Sequence, residues 1–128
     1  MKKLFVIFFT LFILTGCSAG PSEISYQQIS MKDAMKRMAE EPSYLLLDVR
    51  TPEEFFAGHI PGAINVPNEQ IGEEEPTELP NKEELIYVYC RSGNRSKQAS
   101  EKLARLGYRN IVEIGGINDY HGEVEFNN

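Results

Sequence analysis

The chain has 128 residues, a formal net charge of −6 and 41% hydrophobic residues. This length is enough for one hydrophobic core and too little for two domains. No basic or aromatic cluster is organised for nucleic acid, so we expect no nucleic-acid partner. The acidity also argues against electrostatic attraction to anionic lipid headgroups, so any membrane attachment must have another source.

The amino-terminal segment has the pattern of an export signal. Lys2 and Lys3 form a basic start, residues 4–14 are apolar apart from Thr10, and Cys17 follows Leu-Thr-Gly. The apolar stretch is short for a membrane-spanning helix and typical of a secretory signal peptide. Its end resembles a bacterial lipoprotein signal, which implies cleavage before Cys17 and lipid, such as palmitate, on its sulfur. An uncleaved anchor with an incidental cysteine is the alternative.

This interpretation divides the chain into a signal peptide at 1–16, the lipidated cysteine and a tether at 17–25, and a folded domain at 26–128. It predicts an exported protein that is lipid-anchored to a bacterial membrane, with the domain outside the cytoplasm. Cys90 is then the remaining cysteine, and an unpaired cysteine in an exported protein favours a reactive role. A disulfide between Cys17 and Cys90 is the competing interpretation.

Helical and strand patterns alternate along the folded part. Ser30, followed by Asp33, predicts the start of a helix with a methionine-rich apolar face, which ends near Pro42. The later predicted elements are a strand at 44–48, a short helix at 53–57, a short strand at 63–66, a strand at 85–89, a helix at 96–106 and a strand at 111–114. This alternation predicts an α/β fold with a mainly parallel central sheet and helices on both faces.

Residues 90–96, which read CRSGNRS, join the predicted central strand to the predicted long helix. Such a segment can direct several backbone N–H groups at one centre, supported by the positive end of a helix dipole. That field lowers the pKa of a thiol and holds an anion beside the sulfur. Cys90 is therefore predicted to be a nucleophile, and its substrate is expected to bind against Arg91, Ser92, Gly93, Asn94, Arg95 and Ser96.

This segment resembles the active-site loop of the rhodanese family of sulfurtransferases. Three further segments are similar to motifs of that family: DVR at 48–50, EEF at 53–55 followed by GHIPGAINVP at 58–67, and the glycine pair at 115–116. In many members a tryptophan follows the glycine pair by about four residues, where this chain has Tyr120. The resemblance covers roughly residues 25–122.

The family resemblance implies a two-step sulfur transfer without cofactor or metal. Cys90 would take the outer sulfur of a small anionic donor such as thiosulfate, form a persulfide, and pass that sulfur to a thiol or cyanide, or to a protein acceptor. Arg95 is expected to anchor the loop and supply positive charge, while Arg91 faces the entrance. Asp48 and Arg50 are expected to support the site by pairing with the loop or with neighbouring backbone.

Two other functions remain open. A non-catalytic module that binds persulfide and delivers sulfur to a partner would have the same loop. A phosphatase or an arsenate-reductase-like enzyme is the other alternative, but a cysteine-dependent phosphatase has five residues between its cysteine and arginine. Here four residues separate Cys90 from Arg95, and Ser96 occupies the next position. The smaller loop suits one extra sulfur atom better than a tetrahedral phosphate.

Overall fold

A computed structural model describes residues 25–127. Five parallel strands form one sheet in the order β1-β5-β4-β2-β3. The strands are β1 (Gln27–Gln28), β2 (Leu45–Asp48), β3 (Ile64–Asn65), β4 (Leu85–Cys90) and β5 (Asn110–Gly116). The helices are α1 (Met31–Glu40), α2 (Pro52–Phe56) and α3 (Asn94–Arg105), with short 3₁₀ turns at Asn68–Gln70 and Ile117–Asp119. No helix in this described range is long and apolar enough to span a membrane.

The two faces of the sheet carry separate hydrophobic clusters. α1 packs with alternate residues such as Leu46 and Tyr87, and α3 packs with the intervening ones such as Leu47 and Val88. Because side chains alternate along a strand, β2, β4 and β5 are buried on both faces and read as continuous apolar runs. The predicted α/β fold is therefore confirmed, and all the strand pairs are parallel.

The start of α1 is also as predicted. Ser30 is the N-cap, and its hydroxyl oxygen accepts a hydrogen bond from the Asp33 backbone N–H at 3.1 Å. The strand β1 was not predicted, because its two residues are exposed glutamines that show no apolar alternation. The proposed signal peptide and Cys17 lie outside the described residues.

The segment around Cys90 differs from the prediction at both ends. Cys90 is the last residue of β4, and α3 begins at Asn94, two residues before the predicted start. The reason is Gly93, which serves as the N-cap with a φ of 110°. Because glycine adopts this left-handed conformation without a steric penalty, the chain reverses within three residues. The first turn of α3 therefore lies directly over the end of β4.

Candidate active site

Cys90 lies at the carboxyl end of β4, where ligand sites of parallel α/β sheets form. Its side chain faces α3 and the residue is 1% exposed. The backbone N–H of Gly93 donates to Sγ at 3.0 Å, and the thiol donates to Ser96 Oγ at 3.4 Å. The sulfur therefore lies inside the turn that joins β4 to α3, with hydrogen-bonding groups around it.

The surroundings favour the thiolate form of Cys90. Burial alone would raise the pKa of the thiol, because it removes the charged form from water. Hydrogen bonds that the thiolate form accepts from the Ser96 hydroxyl and from the backbone of Ser96, Gly93 and Ser92 outweigh burial and hold the pKa of the thiol below its ordinary value. The positive end of α3 acts in the same direction. A thiol in these surroundings is suited to nucleophilic attack.

A second buried polar group contacts Ser96. Glu113 on β5 is 3% exposed, and its Oε1 lies 2.6 Å from Ser96 Oγ. The backbone N–H of Gly115 donates to the same carboxylate oxygen at 2.8 Å. The pairing of β4 with β5 is irregular next to Glu113. Val88 pairs with Glu113, but Cys90, two residues later, pairs with Gly116, three residues later. Bulges of this kind often redirect groups beside active sites.

The backbone of the turn packs closely against β5. A Cβ atom on Gly116 would collide with the carbonyl group of Arg91 and with the backbone of Ser92. The backbone N–H of Asn118 donates to the Arg91 carbonyl at 3.2 Å. Gly116 therefore provides the space in which the turn around Cys90 lies.

The predicted substrate-binding residues divide into two groups. Arg91, Ser92 and Asn94 are exposed around the turn, whereas Gly93 and Ser96 are buried beside the sulfur. Arg95 lies between these groups and makes a bidentate pair with Glu54 on α2, at 2.6 and 3.0 Å. This hydrogen-bonded pair lowers the pKa of Glu54 to about 2. Arg95 thus links α3 to α2 while part of its charge is neutralised.

Asp48 and Arg50 form a separate cluster. The Arg50 guanidinium donates to both carboxylate oxygens of Asp48, at 2.7 to 3.0 Å, and to the Gly58 carbonyl at 2.7 Å. Its Cζ atom lies 5.8 Å from the centroid of the Tyr89 ring. Tyr89 belongs to the hydrophobic cluster on the α1 face, so this pair and Cys90 lie on opposite faces of the sheet. The pair bonds with itself and with backbone near His59, rather than with the turn at Cys90.

His59 also lies outside the cysteine site. Its ring stacks on Phe55 with centroids 3.8 Å apart, and Nδ1 lies 2.9 Å from the Phe55 carbonyl oxygen. Nε2 lies 3.5 Å from a carboxylate oxygen of Glu125. Within residues 25–127, no cluster of three or more His, Cys, Asp or Glu side chains could hold a metal ion.

Two residues of the site were missed by the sequence analysis. Glu113 interrupts an apolar run between Val112 and Ile114, and a carboxylate inside a buried strand is a signal for a polar site. Glu54 was noted only as part of a motif. Its contact with Arg95 joins residues 41 positions apart, a separation that local patterns do not register.

Comparison with known proteins agrees with this geometry. Residues 31–123 match the family described as the rhodanese-like domain. Thiosulfate sulfurtransferase PspE of Escherichia coli (strain K12) is 40% identical over 73 residues, which cover 57% of this chain and 70% of that protein. A sulfurtransferase of Allochromatium vinosum is 37% identical over 91 residues, 70% of this chain and 83% of that one.

A solved structure described as a rhodanese with anions from E. coli is 34% identical and superposes with a TM-score of 0.60. The superposition covers 66% of this chain and all of that one. The family match spans α1 to the end of β5 and includes the cysteine turn, the Glu54–Arg95 pair and the glycine pair. On these grounds, the chain belongs to the rhodanese-like domain family, whose relatives named above include sulfurtransferases.

Proposed function

We propose that this protein moves sulfane sulfur from a small anionic donor such as thiosulfate to a thiol or cyanide acceptor through a Cys90 persulfide. The observation that carries the proposal is the buried Cys90 Sγ, which accepts the Gly93 N–H inside a turn that favours the thiolate. The named sulfurtransferase relatives support the same chemical class.

The reaction has two balanced steps. The Cys90 thiolate attacks the outer sulfur of thiosulfate, the sulfur–sulfur bond of the donor breaks, and sulfite leaves with the bonding electron pair. An acceptor such as cyanide then attacks the outer sulfur of the persulfide, which forms thiocyanate and returns Cys90 to the thiolate. Backbone N–H groups of the turn and the first turn of α3 can stabilise the anionic outer sulfur of the intermediate.

Mass spectrometry of protein incubated with thiosulfate tests the first step. We expect Cys90 to gain one sulfur, about 32 Da, and to lose it when cyanide or a thiol is added. The isosteric variant Cys90→Ser should gain nothing, because a serine hydroxyl is almost wholly un-ionised at neutral pH. A steady-state assay with thiosulfate and several acceptors tests turnover. If Cys90 gained no sulfur and the protein hydrolysed an aryl phosphate, the phosphatase alternative would replace this proposal.

A sulfur-delivery module is the second candidate, and the deep burial of Cys90 favours keeping it. The Cys90 residue is 1% exposed, which limits the access of reactants from bulk solvent. Such a module would acquire the sulfur but release it slowly to cyanide and to small thiols. The rate of the second step, measured with several small acceptors, therefore separates the two candidates.

We also propose that the protein is exported and anchored by lipid on Cys17, on the pattern of basic, apolar and small residues before that cysteine. Mass spectrometry of the native amino terminus tests this. We expect a terminal Cys17 that carries acyl chains, and loss of membrane partitioning in Cys17→Ala. An unmodified Cys17 still preceded by residues 1–16 would contradict the proposal.

A further inference from the structure

A groove lies between α1 and the segment that follows β5, and we call it the α1 groove. Its volume is about 960 Å³. Large apolar side chains and polar side chains share its lining: Met31, Met35 and Tyr120 are apolar or aromatic, and Lys32, Lys36, Asp119 and His121 are polar. The two lysines belong to α1, whereas Asp119 and His121 follow β5 on the opposite wall. The groove therefore combines apolar surface with positive charge on its α1 side.

The α1 groove adjoins the turn around Cys90. Gly115 lines the groove, and its Cα lies 3.7 Å from the position that a Cβ on Gly93 would take. The wall that contains Asp119 is also bonded to the turn, because the N–H of the preceding residue, Asn118, donates to the Arg91 carbonyl at 3.2 Å. An extended chain that lies in the groove therefore needs only a few more residues to reach the exposed side of the turn.

The two lysines of the groove have no ion-pair partner in the described structure. Other basic residues, such as Lys82, Arg95 and Arg105, each contact a carboxylate. Lys32 also lies in the first turn of α1, where the positive end of the helix dipole disfavours a cation. The positive charge at Lys32 and Lys36 thus stabilises neither α1 nor a neighbouring element, although the chain as a whole is acidic, with a net charge of −6.

The apolar part of the groove suits a large apolar side chain. Met35 is half-buried, and methionine adapts to the shape of what it contacts because its side chain is unbranched and flexible. The ring of Tyr120 is held in place, since its hydroxyl donates to the Glu123 carbonyl at 2.8 Å and Gly122 packs against it without room for a Cβ. One wall is therefore adaptable and the other is fixed.

We propose that the α1 groove binds an acidic peptide segment of a protein that accepts sulfur from Cys90. An apolar side chain of the segment fills the space between Met35 and Tyr120, and its carboxylates pair with Lys32 and Lys36. Asp119 repels carboxylates from the opposite rim, which fixes the side on which the acidic residues lie. A cysteine a few residues along the segment then lies at the turn.

The inference deepens the proposed function and rests on it. The thiolate of the bound cysteine attacks the outer sulfur of the Cys90 persulfide, the bond between the two sulfurs breaks, and Cys90 leaves as a thiolate. The acceptor cysteine becomes the persulfide. Because the segment is already bound, this step is effectively intramolecular, an advantage that cyanide and small thiols do not have at the buried Cys90.

Peptide binding tests the groove without any sulfur chemistry. The probes are two fluorescently labelled octapeptides with one leucine and one serine each; the first carries two glutamates, and its twin carries two lysines at the same places. By fluorescence anisotropy with the full chain, we expect the acidic peptide to bind at least about tenfold more tightly. Lys32→Glu/Lys36→Glu should remove or reverse this preference, and both residues are exposed, so the fold should be unaffected.

Arg105→Glu/Arg109→Glu is the matched control. It makes the same change of net charge on two exposed residues, which lie at the end of α3 and before β5, at the other end of the sheet. This variant should keep the preference for the acidic peptide. Replacing the leucine of the acidic peptide by glycine should weaken its binding about fivefold or more, because the apolar contact is lost.

Transfer to cysteine tests what occupies the groove. The same two peptides, with cysteine in place of serine, are added to protein that carries the Cys90 persulfide, and the loss of about 32 Da from Cys90 gives the rate. We expect the acidic peptide to react at least about tenfold faster than its twin, and Lys32→Glu/Lys36→Glu to remove this advantage. Neighbouring glutamates raise the pKa of the peptide thiol, so the chemistry alone would favour the lysine twin.

Alkylation of Cys90 by iodoacetamide over a range of pH, followed by mass spectrometry, reports the thiol itself in each variant. If Lys32→Glu/Lys36→Glu slowed alkylation as much as it slowed transfer, the lysines would act on the thiol rather than on the acceptor, and the inference would be overturned. Equal affinity of the two serine peptides would also overturn it. So would a wild-type dimer that Lys32→Glu/Lys36→Glu dissociates in sedimentation, because a second copy of the chain would then cover the groove.

The binding result does not depend on the proposed function. A protein that takes no sulfur from thiosulfate but binds the acidic serine peptide selectively would refute sulfur transfer and keep the acidic-peptide site. A protein that forms the Cys90 persulfide but does not discriminate between the peptides would keep sulfur transfer and refute the site.

Discussion

Two buried polar clusters lie at the carboxyl ends of neighbouring strands, on opposite faces of the sheet. At the end of β2, Asp48 and Arg50 hold one negative and one positive charge in direct contact. The second cluster joins Cys90, at the end of β4, to Glu113 on the neighbouring strand β5; both are acidic groups, with hydroxyl and backbone N–H groups between and around them. The first cluster is neutral overall, whereas the second stabilises an anion with neutral dipoles.

This difference predicts a structural role for the first cluster and a chemical role for the second. Both carboxylate oxygens of Asp48 accept hydrogen bonds from Arg50, so this buried ion pair has little capacity left for a substrate, and breaking it would leave an unpaired charge. In the second cluster, backbone N–H groups stabilise the thiolate. These donors are fixed in place, so they can also stabilise the outer sulfur of a persulfide without a rearrangement of side chains. Thus, at one end of the sheet, the Asp48–Arg50 ion pair lies on one face and the candidate reaction site at Cys90 lies on the other.

Cys90→Ser should give the largest effect on activity and almost none on the fold. We expect sulfur transfer to fall to background, since the covalent step fails even with the surrounding donors present. The free energy of unfolding, measured by urea denaturation, should change by less than about 1 kcal/mol because the substitution is close in size. Residual turnover near the wild-type rate would show that the polar cluster at β4 is not where the reaction occurs.

Asp48→Ala should have the opposite signature, with a large effect on stability. Removing the carboxylate leaves the Gly58 carbonyl as the hydrogen-bond acceptor of the buried Arg50 guanidinium in the described structure, and broken buried pairs cost about 3–5 kcal/mol. In the protein that remains folded, the pH midpoint of Cys90 alkylation should not move. A shifted midpoint with normal stability would contradict the division between the two clusters.

The sequence carries much of this arrangement but not all of it. The strands β2, β4 and β5 and the helices α1 and α3 follow from apolar periodicity, and the Ser30 cap follows from local chemistry. Cys90 stands out because of its position between a strand and a helix. The Glu113–Ser96 and Glu54–Arg95 contacts could not be predicted, because each depends on how distant elements pack. The early start of α3 depends on the backbone of one glycine, Gly93.

Arg91 in the turn and Arg95 in the first turn of α3 should differ in their effect on turnover. We expect Arg95→Ala to lower kcat/KM about tenfold or more, because a bidentate link between α3 and α2 beside the sulfur is lost. Arg91→Ala should cost less, since its exposed charge is screened by solvent and salt. A larger loss for Arg91→Ala at matched stability would reverse the two roles.

Glu54→Gln tests whether Arg95 acts through its pairing with Glu54, which links α3 to α2, or through its positive charge. If the link positions the first turn of α3, this variant should lose activity as Arg95→Ala does. If the charge itself matters more, freeing Arg95 from its carboxylate should improve the KM for an anionic donor. Separate measurement of kcat and KM with thiosulfate decides between these outcomes. A lower kcat would indicate a positioning role, and a lower KM would indicate a role of the free charge.

The Glu54–Arg95 link should also give a modest acid sensitivity. Arg95 lowers the pKa of Glu54 from its usual 4.5 to about 2 in the folded protein. A depressed carboxyl pKa contributes stability that is complete above the unfolded-state value and is lost as the pH falls through the folded-state value. The stability difference between wild type and Glu54→Gln should therefore shrink between about pH 4.5 and 2. A constant difference over that range, measured by denaturation at each pH, would contradict the assignment.

Ser100→Ala should have the smallest effect and sharpens the comparison within α3. Ser100 lies one turn after Ser96 and is equally buried, but in the described structure its hydroxyl has no hydrogen-bond partner. Removing an unpaired buried hydroxyl, and placing alanine in a helix, should leave stability unchanged or raise it by up to about 1 kcal/mol. Ser96→Ala should instead disturb the thiol. If Ser96→Ala and Ser100→Ala both left the alkylation profile and the urea denaturation unchanged, the contact of Ser96 with Cys90 and Glu113 would have no functional importance.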